Sequence, residues 1–134
     1  MQPPHPESLG NLLRRPPCGV PGVAPERLRE LCDAVERGAD DLEARRLAQR
    51  LAHRMSGTAG TVGLIDIGLL GRAMEGYAAA CDWSAPARAR LLEAVALQDR
   101  LVREACATEI GGPGSPTVLR SEPLYVALLA EAAR

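Results

Sequence analysis

The chain has 134 residues, 46% of them hydrophobic, and a formal net charge of −1, which suits one domain with a modest core plus tails. So balanced a charge gives no bulk attraction for nucleic acid or an anionic membrane, and neither is expected as a partner. Every basic residue is Arg, which excludes lysine Schiff bases and a P-loop lysine; Phe is absent and Trp occurs once, so the core falls to Leu, Val, Ile, Met and Ala, a set suited to close helix packing.

Residues 1–24 carry six prolines and little periodicity. They read as a flexible arm without a run of signal-peptide type, in which Leu9, Leu12 and Leu13 form a small cluster able to dock on the rest. A first helix is predicted from Pro25, through Leu28, Leu31, Cys32 and Val35, with Gly38 as its stop. The second opens with Asp40 as N-cap and Glu43 three residues later, a capping-box variant. It runs to about Val62 and ends at Gly63, roughly 22 residues and about 33 Å long.

The third helix is capped by Asp66 and carries Leu69, Leu70, Ala73, Met74 and Tyr77, ending near Cys81. The fourth is capped by Ser84 with Pro86 in its first turn, has an inner stripe of Leu91, Val95, Gln98, Val102 and Ala105, and stops at Gly111-Gly112. A Gly/Pro/Ser linker over 111–116 leads to a short apolar segment, Leu124 to Ala133, which either covers one end of the bundle or offers an apolar face to a partner. No strand pattern and no membrane-spanning run is seen. Short connections make neighbouring helices antiparallel. The expected fold is all-α: an antiparallel up-down four-helix bundle over 25–112, an arm over 1–24, and a linker with a short C-terminal helix over 113–134. Cys18, Cys32, Cys81 and Cys106 lack metal-ligand spacing, and a reducing, cytoplasmic location is the default.

His53 is the residue that carries chemistry. At about 100° per residue, Leu47, Ala48, Leu51, Met55, Thr58, Ala59 and Val62 share one face of the second helix, and His53 lies about 160° from Leu51 and Met55. Beside it are Arg46, Gln49, Arg50, Ser56, Gly57 and Gly60. The pattern presents an imidazole to solvent with arginines on one flank and little side-chain bulk on the other. Neutral imidazole has a lone pair near pH 7, its reference pKa being about 6.5, and can attack phosphorus. The resulting phosphoryl group adds about −1.5 to −2 charges, which Arg46 and Arg50 could meet, or they could meet a partner's acidic pocket. Ser56 could donate its hydroxyl, and Gly57 and Gly60 leave a notch for an approaching protein. Which group orients the other ring nitrogen is open. No second acid–base group is exposed on this helix, which argues against autonomous catalysis.

His53, Gly57, Gly63, Leu64, Leu70 and the pair Met74-Glu75, with Gly60 and the small run Thr58-Ala59, resemble the histidine-containing phosphotransfer (HPt) domains of multistep two-component phosphorelays. The likeness is strongest over residues 47–77. It implies a four-helix bundle in which His53 is the phosphoacceptor, Gly57 gives clearance and Gly63 closes the turn. It implies a phosphoryl carrier rather than an enzyme, served by response-regulator receiver domains and a sensor or hybrid histidine kinase. No cofactor is expected on this chain; Mg²⁺ would sit in the receiver. One departure stands out: many members carry Lys three residues after the His, where this chain has Ser56. Two other readings stay open, a non-phosphorylated adaptor that docks on a kinase or receiver, and a purely structural bundle.

Overall fold

The computed structural model of the chain describes residues 23–61, 64–109 and 118–133, and these are helical throughout, without strands. The Leu9-Leu12-Leu13 cluster, Cys18, Val62, Gly63, Gly111-Gly112 and the 111–116 linker lie outside the described residues.

Helix α1 is Pro25–Arg37, with Pro25 and Glu26 in its first turn and Arg37 in its last. Each suits the helix dipole or the missing N–H partners there. Gly38 ends it, its N–H donating to the Ala34 and Val35 carbonyls. Helix α2 is Leu42–Thr61. Its cap is Asp41 and not Asp40: Asp41 Oδ1 accepts the N–H groups of Glu43 (2.9 Å) and Ala44 (3.2 Å). Both aspartates carry the capping chemistry, and the Asp40 N–H instead closes the preceding turn onto the Arg37 carbonyl. Glu43 pairs with Arg46 at 2.7 Å rather than completing a capping box.

Helix α3 is Ile65–Ala80. No side chain caps it, so Asp66, expected as its cap, serves only as a first-turn acid. Helix α4 is Ala85–Glu109. Ser84 Oγ accepts the Ala87 N–H (3.4 Å), and Asp82 Oδ1 accepts the Ser84 N–H (3.0 Å). Those hydrogen bonds to Ser84 favour the ionised Asp82 and hold its carboxyl below the usual range. A 3₁₀ turn, Leu119–Ser121, precedes helix α5, Pro123–Ala132.

The apolar periodicity of the sequence becomes one core. Leu31 and Val35 from α1, Leu51 and Met55 from α2, Leu70 and Met74 from α3, and Leu91 and Val95 from α4 are all buried within it. Ala105, placed on the inner stripe of α4, is only half-buried. Cys32, Cys81 and Cys106 pack partly buried against the core, and burial pushes the Cys32 and Cys81 thiols up. Gln98 is fully buried in α4, its Nε2 donating to the Ile67 carbonyl at 2.9 Å.

The C-terminal segment packs on the bundle, the first of the two readings the sequence allowed. Leu128 is fully buried, and α5 packs on α3 and α4. Ion pairs Arg90–Glu131 (3.1 Å) and Arg100–Glu122 (3.2 Å) tie it to α4. Val126 and Leu129 meanwhile remain about half exposed.

One end of the molecule is locked around Trp83. This residue adopts φ 57°, the left-handed region, at a cost on the order of 1–3 kcal/mol for a non-glycine. Its indole N–H donates to the Ala78 carbonyl at 3.0 Å, and its own carbonyl accepts from Arg88 at 2.7 Å. The Arg45 guanidinium stacks 5.6 Å from the ring centroid while donating to the Gly38 and Ala39 carbonyls. Gly38 completes the lock by having no side chain. A Cβ there would stand 2.5 Å from Trp83 Cζ3, closer than any real contact. Gly38→Ala is therefore expected to lower unfolding free energy by about 1–3 kcal/mol, the range for overpacking, read by urea denaturation at unchanged m-value.

Candidate functional site

The apolar side of α2 turns inward as its period requires: Ala48, Leu51, Met55 and Ala59 are buried, and Leu47 and Thr58 half-buried. His53 is thereby carried to the outside, with 74% of its side chain exposed. Arg46, Arg50 and Gly57 are exposed on the same face, and Gln49 and Ser56 are half-buried. Gly60 falls within α2, its surroundings outside the described residues.

Helical side chains lean toward the N-terminus, so the spot above a residue is covered by the side chain about one turn later. For His53 that later residue is Gly57. A Cβ on Gly57 would meet nothing within 4 Å, so the space over the imidazole is open and no packing demand explains the glycine. On the other flank, Arg46, Gln49, Arg50, His53, Arg54 and Glu75 line an open groove of about 690 Å³.

Glu75 is the group that sequence reasoning left unassigned. His53 Nδ1 lies 2.9 Å from Glu75 Oε2. An ionised carboxylate only accepts hydrogen bonds, so the proton belongs to Nδ1 and the lone pair to Nε2. The pair depends on how closely α2 and α3 approach. A Cβ on Gly71 would lie 2.9 Å from the Ser56 backbone nitrogen and 3.2 Å from the Ala52 carbonyl oxygen. Glycine at 71 brings the two backbones together, and one turn farther along α3 this proximity delivers Glu75 to the ring. The seam between α2 and α3 half-buries Ser56.

Among the described residues, Arg50 and Arg54 enter no ion pair, whereas Arg46 is held by Glu43. The site thus gathers a carboxylate from α3 and guanidinium groups from α2 along one groove beside the imidazole. A nucleophilic nitrogen, oriented from behind and open in front, can accept a group from another molecule.

A helical bundle bearing such an imidazole defines a class of group-carrying modules, and sequence comparison identifies which one. The model of the Hpt domain family matches residues 23–107, more than half of the chain. The protein belongs to that family, whose members are phosphocarrier modules of two-component phosphorelays and work with receiver domains and kinases. No curated protein and no solved structure matches the chain significantly. Among the described residues, no helix is long and apolar enough to cross a membrane.

The role of Glu75 is testable apart from His53. Glu75→Ala is expected to slow labelling of His53 about tenfold, the equivalent of one lost charge-assisted hydrogen bond. Glu75→Gln, which still accepts at Nδ1, should keep part of the rate. Equal rates in wild type and Glu75→Ala would show that the ring needs no such partner.

Proposed function

We propose that this protein is a phosphorelay carrier that accepts a phosphoryl group on His53 from a phospho-aspartyl receiver domain or a histidine kinase and passes it to another response-regulator receiver. The observation that carries the reading is the exposed imidazole whose Nδ1 lies against Glu75.

In the forward step the Nε2 lone pair forms the N–P bond while the P–O bond to the donor's aspartate breaks, and that carboxylate leaves as an anion. Nδ1 keeps its proton, and Glu75 offsets the positive charge that develops on the ring. The same charge makes imidazole a good leaving group, so the phosphoryl group stays transferable when a second receiver presents its carboxylate. Mg²⁺ and the acid chemistry belong to the receiver; this chain contributes the nucleophile, its orientation and its clearance.

In this reading residues 25–112 form the up-down bundle, with the segments outside it as arm and C-terminal brace, and the protein works in the cytoplasm. Docking is small and transient, with the partner laid over the exposed face of α2 around Gly57.

Incubation with a panel of phosphorylated receiver domains tests the proposal. His53→Gln is expected to retain helix content and stability within about 0.5 kcal/mol, as for exposed positions generally, and to lose an acid-labile, alkali-stable label completely. A label that persists on His53→Gln, or none on the wild type from any donor, overturns it. Gly57→Leu should keep His53 and the fold yet transfer at least tenfold more slowly, because its side chain projects over the ring. Transfer by Gly57→Leu at the wild-type rate would refute the clearance argument.

A further inference from the structure

We infer that Arg50 alone, among the guanidinium groups of the groove, binds the phosphoryl group carried on His53; the inference rests on the phosphocarrier reading above. On a helix surface a side chain reaches its neighbours three and four residues away, with Cβ atoms about 5–6 Å apart, and not those one or two away. His53 has four such neighbours on α2: Gln49, Arg50, Ser56 and Gly57. Arg50 is the one that carries charge. Gln49 is neutral, Gly57 has no side chain, and Ser56 is half-buried in the seam with α3.

The other two arginines of the groove are separated from the ring by geometry or by prior engagement. Arg54 follows His53 directly and is turned about 100° from it. Arg46 lies seven residues before, about 10 Å along the axis, and its guanidinium is already paired with Glu43 at 2.7 Å. Arg50 is exposed, lines the same groove as His53, and enters no ion pair among the described residues. An imidazole leaning toward the N-terminal turn, as helical side chains do, carries its Nε2 over Arg50 rather than over Ser56.

Two guanidinium N–H groups then donate to two non-bridging phosphoryl oxygens, a geometry that suits a planar fork. No covalent bond changes in this contact. The unphosphorylated site leaves Arg50 without a carboxylate, so nothing on α2 competes for it when the dianion arrives. Glu75 lines the same groove and is already engaged at Nδ1. The imidazole thus has an anion that favours the protonated nitrogen and, in this inference, a cation that favours the phosphorylated one.

The test uses the exchange equilibrium between the full chain and a receiver domain that labels it. That constant compares free species, so it is blind to docking and reports how well each protein holds the phosphoryl group. Arg50→Gln is expected to lower the share on His53 about threefold to tenfold at low salt, as for a charge-assisted hydrogen bond at an exposed site. The difference should shrink at high ionic strength. Arg50→Lys, which keeps the charge but loses the fork, should restore only part of it, and Arg46→Gln and Arg54→Gln should stay within about twofold of wild type. The phosphohistidine ³¹P resonance should move in Arg50→Gln and hold its place in Arg46→Gln. An Arg50→Gln protein with the wild-type constant and resonance overturns the inference while leaving the carrier function intact. Equal losses in all three Gln variants overturn it as well, by showing a diffuse field. A wild-type chain that takes no label overturns both.

Discussion

The site depends on how closely two helix backbones pass each other at Gly71. A single methylene there would press on the Ser56 nitrogen and the Ala52 carbonyl, neither of which can rotate away as a flexible side chain would. The approach fixes the lateral distance between α2 and α3, and one turn later that distance becomes the 2.9 Å contact between Glu75 and His53. A position with no side chain thereby sets which ring nitrogen meets the carboxylate.

Glycines in this molecule serve opposite ends. Gly71 and Gly38 are buried beneath neighbours that leave no room for a Cβ, whereas Gly57 and Gly76 face open space. In a helix interior each glycine costs about 1 kcal/mol relative to alanine. At Gly71 that cost is offset by the contacts the close approach allows. At Gly57 a Cβ would meet nothing within 4 Å, on the same exposed face of α2 as His53.

What could be read from the sequence followed the range of the interaction. The period of α2 alone placed Leu51 and Met55 inside and His53 outside, because both follow from one helix rotating at a fixed angle per residue. The cap of α2 came within a residue, since adjacent aspartates 40 and 41 offer the same chemistry and only the backbone path selects the second, whereas α3 begins at Ile65, ahead of the expected cap Asp66. Glu75 was visible as part of a family motif, but its contact with His53 spans 22 residues, and no single-helix pattern encodes that distance. The left-handed backbone of Trp83 was not foreseeable; nothing in one residue type announces a conformation that is held by Arg45, Gly38 and Ala78 together. The dual character of α5 likewise required knowing that Leu128 meets the bundle while Val126 and Leu129 do not.

The lock around Trp83 has one more consequence. The ring belongs to the only tryptophan of the chain, and it is held at the end of the molecule where α2 begins, eleven residues before the imidazole. That separation is about 16 Å of helix. Intrinsic emission is therefore an intramolecular gauge of whether the α1–α2 and α3–α4 turns remain clasped, and it should be silent to any change confined to the distant ring. Integrity of the clasp and events at the proposed phosphoacceptor can thus be watched in the same cuvette by separate signals.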